Sequence, residues 1–286
     1  MPSLIDIRRR VRSVKNTQQI TKAMKMISVA KLRRAQERAL AARPYAAMLQ
    51  QILANVAEGA SQNPDSGGHP LLAVRPEQKV LVVVITADRG LAGGFNGNLI
   101  KLAQTFVNEN KSKELHFLLL GKKGRDYFRR RTSNIKGEYT DLFRTVKYSD
   151  AEGIAQSIID SFSEAQVDAV YLFVNEFKSV MAPNLVGKRI LPIEVPKSST
   201  PVDYIYEQPP EEMLGSLLPQ YVKVQVYRAL LESAAAEHAA RMTAMDAASS
   251  NASDMIDKLT LYMNRVRQAS ITKEIIEVVS GAAAAE

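Results

Sequence analysis

The stretch QYVKVQVYRALLESAAAEHAARMTAMDAASSNASDMIDKLTLYMNRVRQASITKEIIEVVS (220–280) decides the fold, because about 60 residues pass without a Gly or a Pro. A helix of that length extends roughly 90 Å at 1.5 Å per residue. Helices in globular proteins average about 11–12 residues. The stretch therefore predicts a helix too long to be covered along its whole length by one small domain.

A second long helix is predicted at the other end of the chain, over residues 3–57. Ala, Arg, Lys, Gln, Leu and Met dominate there, and all favour helices. Ser3 suits the N-cap, and Pro44 predicts a kink. The apolar stripe is narrow and its spacing is interrupted, as in a loosely wound two-helix coil.

The middle of the chain reads as an α/β domain. Short apolar runs that predict buried strands lie at 79–86, 114–120, 167–177 and 186–196, and predicted helices lie at 96–110, 121–131 and 150–165. This alternation indicates a mostly parallel sheet. Residues 61–70 and 197–210 have the composition of connectors. From Glu211 the chain turns helical again, with Pro219 expected in the first turn.

The sequence therefore predicts three segments. They are an N-terminal coiled-coil helix (1–60), an α/β domain (75–200) and a C-terminal coiled-coil helix (210–286) that pairs with the first helix. If the two helices run antiparallel and leave the domain together, position i pairs with about position 267 minus i, since both rise 1.5 Å per residue. Met24 then lies beside Arg241, and the last 20 or so residues lack a partner within the chain. An apolar helix end of this kind needs a partner protein around it.

Composition excludes several kinds of site. The chain has no Cys, and its three His (His69, His116 and His238) are widely separated. We therefore expect no disulfide, no metal site and no cofactor. The first residues lack the apolar core of a signal peptide, and no run approaches the 18 apolar residues of a membrane span. No catalytic constellation stands out, and His238 is expected to be solvated or packed against another helix.

Charge is distributed unevenly, since residues 1–45 carry 12 Lys and Arg against two acids, whereas residues 211–286 carry seven against ten. This favours acidic protein surfaces as partners of the first helix. Nucleic acid is disfavoured, because residues 1–44 contain no aromatic side chain for stacking and the charges surround the helix. A merely solvated basic helix remains open.

The loop TADRGLAGGFNGN (86–98) follows the first predicted strand, where phosphate-binding loops lie. Its glycines match neither the dinucleotide-binding nor the P-loop spacing. We therefore favour a tight structural or docking loop over a nucleotide site, with Asp88 and Arg89 pairing or contacting a partner.

Three segments resemble the ATP synthase gamma family. They are NTQQITKAMKMISVAKLRRAQ (16–36) with RPYA (43–46), DRGLAGGFN (88–96), and ARMTAMDAASSNASDMIDKLTLYMNRVRQASITKEIIEVVSGAAA (240–284). The resemblance implies an antiparallel coil of the terminal helices around a Rossmann-like domain. It also implies a non-catalytic shaft inside a hexamer of alpha and beta subunits, standing on a membrane c ring and binding epsilon, peripheral to the cytoplasmic face of a bacterial inner membrane.

The same resemblance implies roles for individual residues. Met24, Lys25, Arg267, Gln268 and Thr272 match positions that contact beta. Met24 and Arg241 match positions that couple the two helices, and the docking loop contributes Asp88, Arg89 and Asn96. Two alternatives remain: a Rossmann-like enzyme with helical extensions, and a coiled-coil nucleic-acid binder.

Overall fold

A computed structural model describes residues 3–61, 69–179, 183–194 and 208–283. Most of both predicted connectors, 61–70 and 197–210, lies outside these ranges. Two long helices begin and end the described chain: α1 (Leu4–Ser61) with 58 residues and α5 (Pro210–Ala283) with 74. Their bounds are close to the predicted ones, 3–57 for the first helix and Glu211 onward for the second.

The start of α1 is capped by Ser3, as expected. The Ser3 hydroxyl oxygen accepts a hydrogen bond from the Asp6 backbone N–H at 3.2 Å, which satisfies one of the free donors of the first turn. Helix α1 continues through Pro44. In α5 the prediction for Pro219 is wrong, because the helix begins nine residues earlier and Pro219 lies in its interior. Leu218 and Val222, which flank it, are fully buried, so packing outweighs the one hydrogen bond that Pro cannot donate.

Between the long helices lies a five-stranded sheet in the order β3-β2-β1-β4-β5. The strands are β1 (Lys79–Ile85), β2 (Glu114–Leu120), β3 (Ile135–Tyr139), β4 (Ala169–Phe177) and β5 (Pro183–Leu191). Of the five strands described, only β5 runs antiparallel to its neighbour, which confirms the mostly parallel sheet. The sequence missed β3, because this short edge strand (IKGEY) alternates half-buried with exposed residues and has no continuous apolar run.

Helices cover both faces of the sheet. They are α2 (Phe95–Glu109), α3 (Lys122–Phe128) and α4 (Tyr148–Ser163). Alternate residues of β1 face opposite sides, so Val82 packs with Leu99 of α2 and Phe128 of α3. On the other face Val83 packs with the core that α4, α1 and α5 complete. Parts of both long helices therefore belong to the core of the sheet domain.

The chain divides into two compact units. One comprises residues up to 28 and from 242 onward; the other runs from Val29 to Arg241. In the first, which we call the coil unit, the Thr21 and Ser249 hydroxyls lie 2.7 Å apart and the Lys25 ammonium lies 2.5 Å from the Asp246 carboxylate. These pairs establish antiparallel helices, shifted by three to four residues from the predicted register. The predicted fold class is confirmed.

The second unit, which we call the sheet unit, holds the five strands together with the adjoining parts of α1 and α5. Its core includes Leu53 and Val56 of α1 and Leu230 of α5, all essentially inaccessible to solvent.

Candidate functional site

The glycine loop is anchored where β1 and β2 end. The Thr86 hydroxyl donates to the Leu120 carbonyl at 3.0 Å and accepts from the Gly124 N–H at 2.8 Å. Gly121 has a φ of 91°, and a Cβ there would meet the Thr86 carbonyl oxygen at 1.9 Å. Only Gly fits this position, so the ends of the two strands are locked together.

Two of the predicted docking-loop residues stabilise the loop itself. The Asp88 carboxylate accepts from the Lys122 N–H at 3.1 Å, at the start of α3. The Asn96 side chain accepts from the Ala87 N–H at 2.9 Å and donates to the Arg89 carbonyl at 3.4 Å. The exposed side chains are Arg89, Leu91 and Asn98, and Leu91 is 65% exposed. A protein partner approaching the loop would therefore meet one cation, one apolar side chain and one amide.

Arg241 ties α5 to the same loop. Its guanidinium donates to the Gly90 carbonyl at 3.2 Å and to the Glu237 carboxylate at 2.6 Å. Burial raises the pKa of Glu237, and the charge and hydrogen bond of Arg241 oppose that rise. The Arg241 side chain is only 11% exposed, so its hydrogen-bonding capacity is used within the sheet unit. Met24, its predicted neighbour, belongs to the coil unit.

His238 is buried beside this ion pair. Burial, together with the positive charges of Arg241 and Lys31, lowers its pKa to about 4. The imidazole is therefore neutral at pH 7 and serves as a packed helix residue, one of the two roles that the sequence left open.

The remaining predicted contact residues lie in the coil unit. Met24 is half-buried, and Lys25 is paired with Asp246. Arg267, Gln268 and Thr272 are exposed, and the Thr272 hydroxyl donates to the Gln268 carbonyl at 2.9 Å. Met24 and Lys25 thus share a unit with Arg267, Gln268 and Thr272, and Arg241 does not.

The C-terminal part of α5 exposes an apolar surface. From Arg267 to Gly281 every residue is exposed to solvent. The large apolar side chains among them are 48–71% exposed: Ile271, Ile275, Ile276, Val278 and Val279. Isolated exposed apolar residues are ordinary, but five within nine residues of one helix indicate a surface that binds another protein.

More apolar side chains of the coil unit are exposed than the sequence led us to expect. They include Ile5, Ile20, Met26, Ile27, Met255 and Leu261, each more than half exposed. The sequence carried a signal for this, because Met26 and Ile27 are adjacent and therefore point in different directions from the helix. The exposed apolar surface of this unit is therefore larger than the C-terminal end of α5.

The described residues contain neither a metal-binding cluster nor a helix that could span a membrane. No group of three or more His, Cys, Asp or Glu is arranged to hold a metal ion. In that same part of the chain, no helix has both the length and the apolar character needed to cross a bilayer.

Comparisons with known proteins place the chain in a family. The family model described as ATP synthase matches residues 3–285. The ATP synthase gamma chain of Solibacter usitatus is 62% identical over the full length of both chains, and that of Pelotomaculum thermopropionicum is 51% identical, also over both full lengths.

Solved structures agree. A chain of the Tetrahymena thermophila mitochondrial ATP synthase central stalk and c-ring has a TM-score of 0.63 and 26% identity, covering 80% of this chain and 99% of its own. A rotor chain from Euglena gracilis mitochondrial ATP synthase has the same fold, with a TM-score of 0.65 at 18% identity, covering 94% of this chain and 98% of its own. The chain belongs to the ATP synthase gamma-chain family and has the central-stalk role of that family.

Proposed function

We propose that this chain is the rotor shaft of a proton-driven ATP synthase, coupling rotation of a membrane c ring to conformational cycling of catalytic beta subunits. The observation that carries the proposal is the exposed apolar end of α5, from Arg267 to Gly281. Such a surface needs a surrounding partner, and a ring of subunits would provide one on every side.

The chemistry of this surface suits rotation. Apolar contacts are non-directional, so they do not favour one angle as strongly as hydrogen bonds do, each of which contributes roughly 1 kcal/mol net. Exposed charges such as Arg267 add attractions of about 0–1 kcal/mol each. A shaft of this kind would be held inside its partners without being fixed at one angle.

The proposed partners are the alpha–beta hexamer, the epsilon subunit and the c ring, with no nucleic acid and no cofactor. The chain itself would catalyse no reaction and would lie at the cytoplasmic face of a bacterial inner membrane, held there through the complex. The polar groups of the glycine loop support the non-catalytic role, because Asp88 and Asn96 hydrogen-bond to the backbone within the fold.

At the level of residues, Met24, Lys25, Arg267, Gln268 and Thr272 are proposed to contact beta. Lys25 would do so while sharing its charge with Asp246. For coupling between the two long helices, the proposed residues remain Met24 and Arg241, the latter acting from its position beside the loop. In the docking loop, Arg89 would make the contact and Asp88 and Asn96 would hold its shape. The segments 1–60, 75–200 and 210–286 stay the proposed functional divisions.

Removing residues 267–286 tests the shaft directly. We expect the truncated chain to keep the melting temperature of the full chain, because the described residues removed are exposed, and to bind an alpha–beta preparation much less tightly. Co-purification with alpha, beta and epsilon subunits measures the binding. Equal recovery of alpha and beta with both forms would contradict a shaft that depends on this end.

Met24→Lys tests the proposed coupling position, with Met26→Lys as the matched control because Met26 is 70% exposed on the same helix. In the assembled complex we expect Met24→Lys to reduce ATP-driven proton pumping more than ATP hydrolysis, and we expect Met26→Lys to have a smaller effect on pumping.

A measurement of nucleotide binding by the isolated chain tests the alternative function. Binding would favour the Rossmann-like enzyme over the shaft.

A further inference from the structure

A recess in the sheet unit has walls rich in positive charge. It has a volume of about 190 Å³ and lies between α1, α5 and the segment that joins β3 to α4. The four cations that line it are Lys31, Arg34 and Arg38 of α1 and Arg144 of the joining segment. No carboxylate lines the recess.

The four cations are exposed, and the charge of Lys31 acts on the nearby Glu237 carboxylate without forming an ion pair with it. Among the described residues, none of the four cations forms an ion pair with an Asp or a Glu, whereas Arg33 and Arg43 of the same helix pair with Glu37 and Glu232. The three cations on α1, Lys31, Arg34 and Arg38, are three and then four residues apart, so they lie on one side of the helix. Arg144 faces them from the joining segment, so the positive charges surround the recess from two elements.

The floor of the recess is apolar and includes Phe143, Val146 and Leu231. These side chains are largely buried, with Leu231 at 2% exposure, so the floor is fixed by the core. The apolar floor lowers the local dielectric and strengthens the attraction of an anion to nearby cations. Guanidinium groups also bind oxyanions through paired hydrogen bonds, which a lone ammonium cannot.

We propose that this recess is a binding site for a small anion bearing phosphoryl groups, of the size of a diphosphate. Its volume is below the about 300–1,000 Å³ of pockets that hold drug-sized ligands, so a whole nucleotide would not be enclosed. A diphosphate presents several oxygens within one small volume and can meet cations from both walls together. The carboxylates of an acidic peptide are spread along its length, so fewer of them reach the recess.

His238 provides a local reporter, because it also lines the recess. The charges that act on it are Arg241 of its own helix and Lys31 of α1, and Arg34, Arg38 and Arg144 share the recess. A bound anion would offset these positive charges and raise the pKa of His238. The chain has only two other His, His69 and His116, and neither lines the recess.

The test uses the full chain, titrated with inorganic diphosphate at constant ionic strength and followed by calorimetry and by NMR of labelled histidine. Arg34→Gln removes one recess cation. Arg33→Gln is the matched control, because Arg33 is exposed, pairs with Glu37 and does not line the recess. Both variants lose one positive charge from neighbouring positions of the same helix.

We expect Arg34→Gln to weaken diphosphate binding about tenfold, as for loss of a charge-assisted hydrogen bond, and Arg33→Gln to weaken it less than twofold. Diphosphate should shift the His238 resonance and raise its pKa, and leave those of His69 and His116 unchanged. Equal weakening in the two variants, or an unchanged His238 resonance, would overturn the proposal. The proposal would also be overturned if a hexaglutamate peptide bound more tightly than diphosphate and Arg34→Gln weakened the binding of that peptide about tenfold. The recess would then be a docking site for an acidic segment.

Discussion

The two ends of helix α5 stand in opposite surroundings although one continuous helix contains both. Near its start, Leu218, Val222 and Leu230 are at most 1% exposed and pack into the core of the sheet unit. Near its end, Ile276 and Val279 are about 60% exposed. Both regions are apolar, so composition does not separate them; what separates them is whether the chain itself supplies the surface that covers them.

The same contrast appears in two ion pairs. In the sheet unit, the Glu237 and Arg241 side chains are 5% and 11% exposed, and the pair also holds the Gly90 carbonyl. In the coil unit, Lys25 and Asp246 are 39% and 62% exposed. Buried and exposed pairs of similar geometry differ greatly in energy. The ion pair of the sheet unit is therefore enclosed by the fold, whereas that of the coil unit is open to solvent.

The largest effect is expected for Arg241→Ala. It leaves the Glu237 carboxylate buried without its cation, which typically destabilises a protein by about 3–5 kcal/mol. We also expect the pKa of Glu237 to rise further, because the opposing charge of Arg241 is gone. Urea unfolding of the isolated chain at pH 7 measures the loss of stability.

A control separates the pair from the packing around it. The double variant Glu237→Gln/Arg241→Met removes both charges and keeps similar volumes, so it should recover most of the stability lost in Arg241→Ala. If the double variant is as unstable as the single one, the hydrogen bond to Gly90 or the packing of the Arg stem carries the energy instead.

Two matched substitutions to Ala along α5 test the contrast between its buried start and its exposed end. Leu230→Ala should cost about 2–5 kcal/mol, because it opens a cavity in the core. Ile276→Ala should change the stability of the isolated chain by less than about 0.5 kcal/mol, because its side chain is exposed. Thermal unfolding of both variants measures this, and a similar fall in melting temperature for each would show that the end of α5 is covered within the chain.

The sequence predicted the architecture because its signals were local and strong. The scarcity of breakers predicted two helices of unusual length, and apolar runs located β1, β2 and β4. The run at 186–196 overlaps β5 but begins within it and continues beyond Leu191. The edge strand β3 was missed for want of such a run, and Pro219 was placed in a first turn because propensity favours that position, whereas packing of Leu218 and Val222 kept it in the interior.

Side-chain geometry was harder to predict than the helices. The sequence could assign Arg241 a neighbour only by assuming equal rise and a common exit point, and the register observed in the coil unit differs by three to four residues. Nothing local in the sequence indicated that Arg241 contacts a carbonyl 151 positions away. For the same reason the recess around Arg34 and Arg144 could not be predicted, because it joins residues that are distant along the chain.

The pH dependence of stability should show the burial of His238. Its pKa of about 4 in the folded chain lies below the ordinary value of 6.5. The unfolded chain therefore binds this proton more readily, so stability is full above pH 6.5 and falls as the pH decreases towards 4. We expect a loss of about 1–3 kcal/mol, since one pKa unit corresponds to about 1.4 kcal/mol.

The measurement compares urea unfolding of the parent chain and of His238→Gln between pH 7.5 and pH 4.5. The parent should lose more stability on acidification than the variant. The raised pKa of Glu237 acts in the opposite direction, because its folded carboxyl takes up a proton first, and it is present in both proteins. Parallel pH profiles would show that His238 is solvated and charged in the folded chain.

The smallest effect on stability is expected for Lys25→Ala, because exposed ion pairs contribute about 0–1 kcal/mol. The effect of Lys25→Ala on the coupling of ATP hydrolysis to proton pumping shows whether the Lys25 charge acts on a partner or only on Asp246. If Lys25 acts on an acidic surface of beta, Lys25→Ala should reduce ATP-driven proton pumping in the assembled complex, whereas Asp246→Ala should maintain or increase it by releasing the Lys25 ammonium. If Lys25 only holds Asp246, the two variants should impair pumping equally, because either one removes the same pair. The outcome would establish whether a charge of the coil unit is committed within the chain, as Arg241 is in the sheet unit, or is available to a partner.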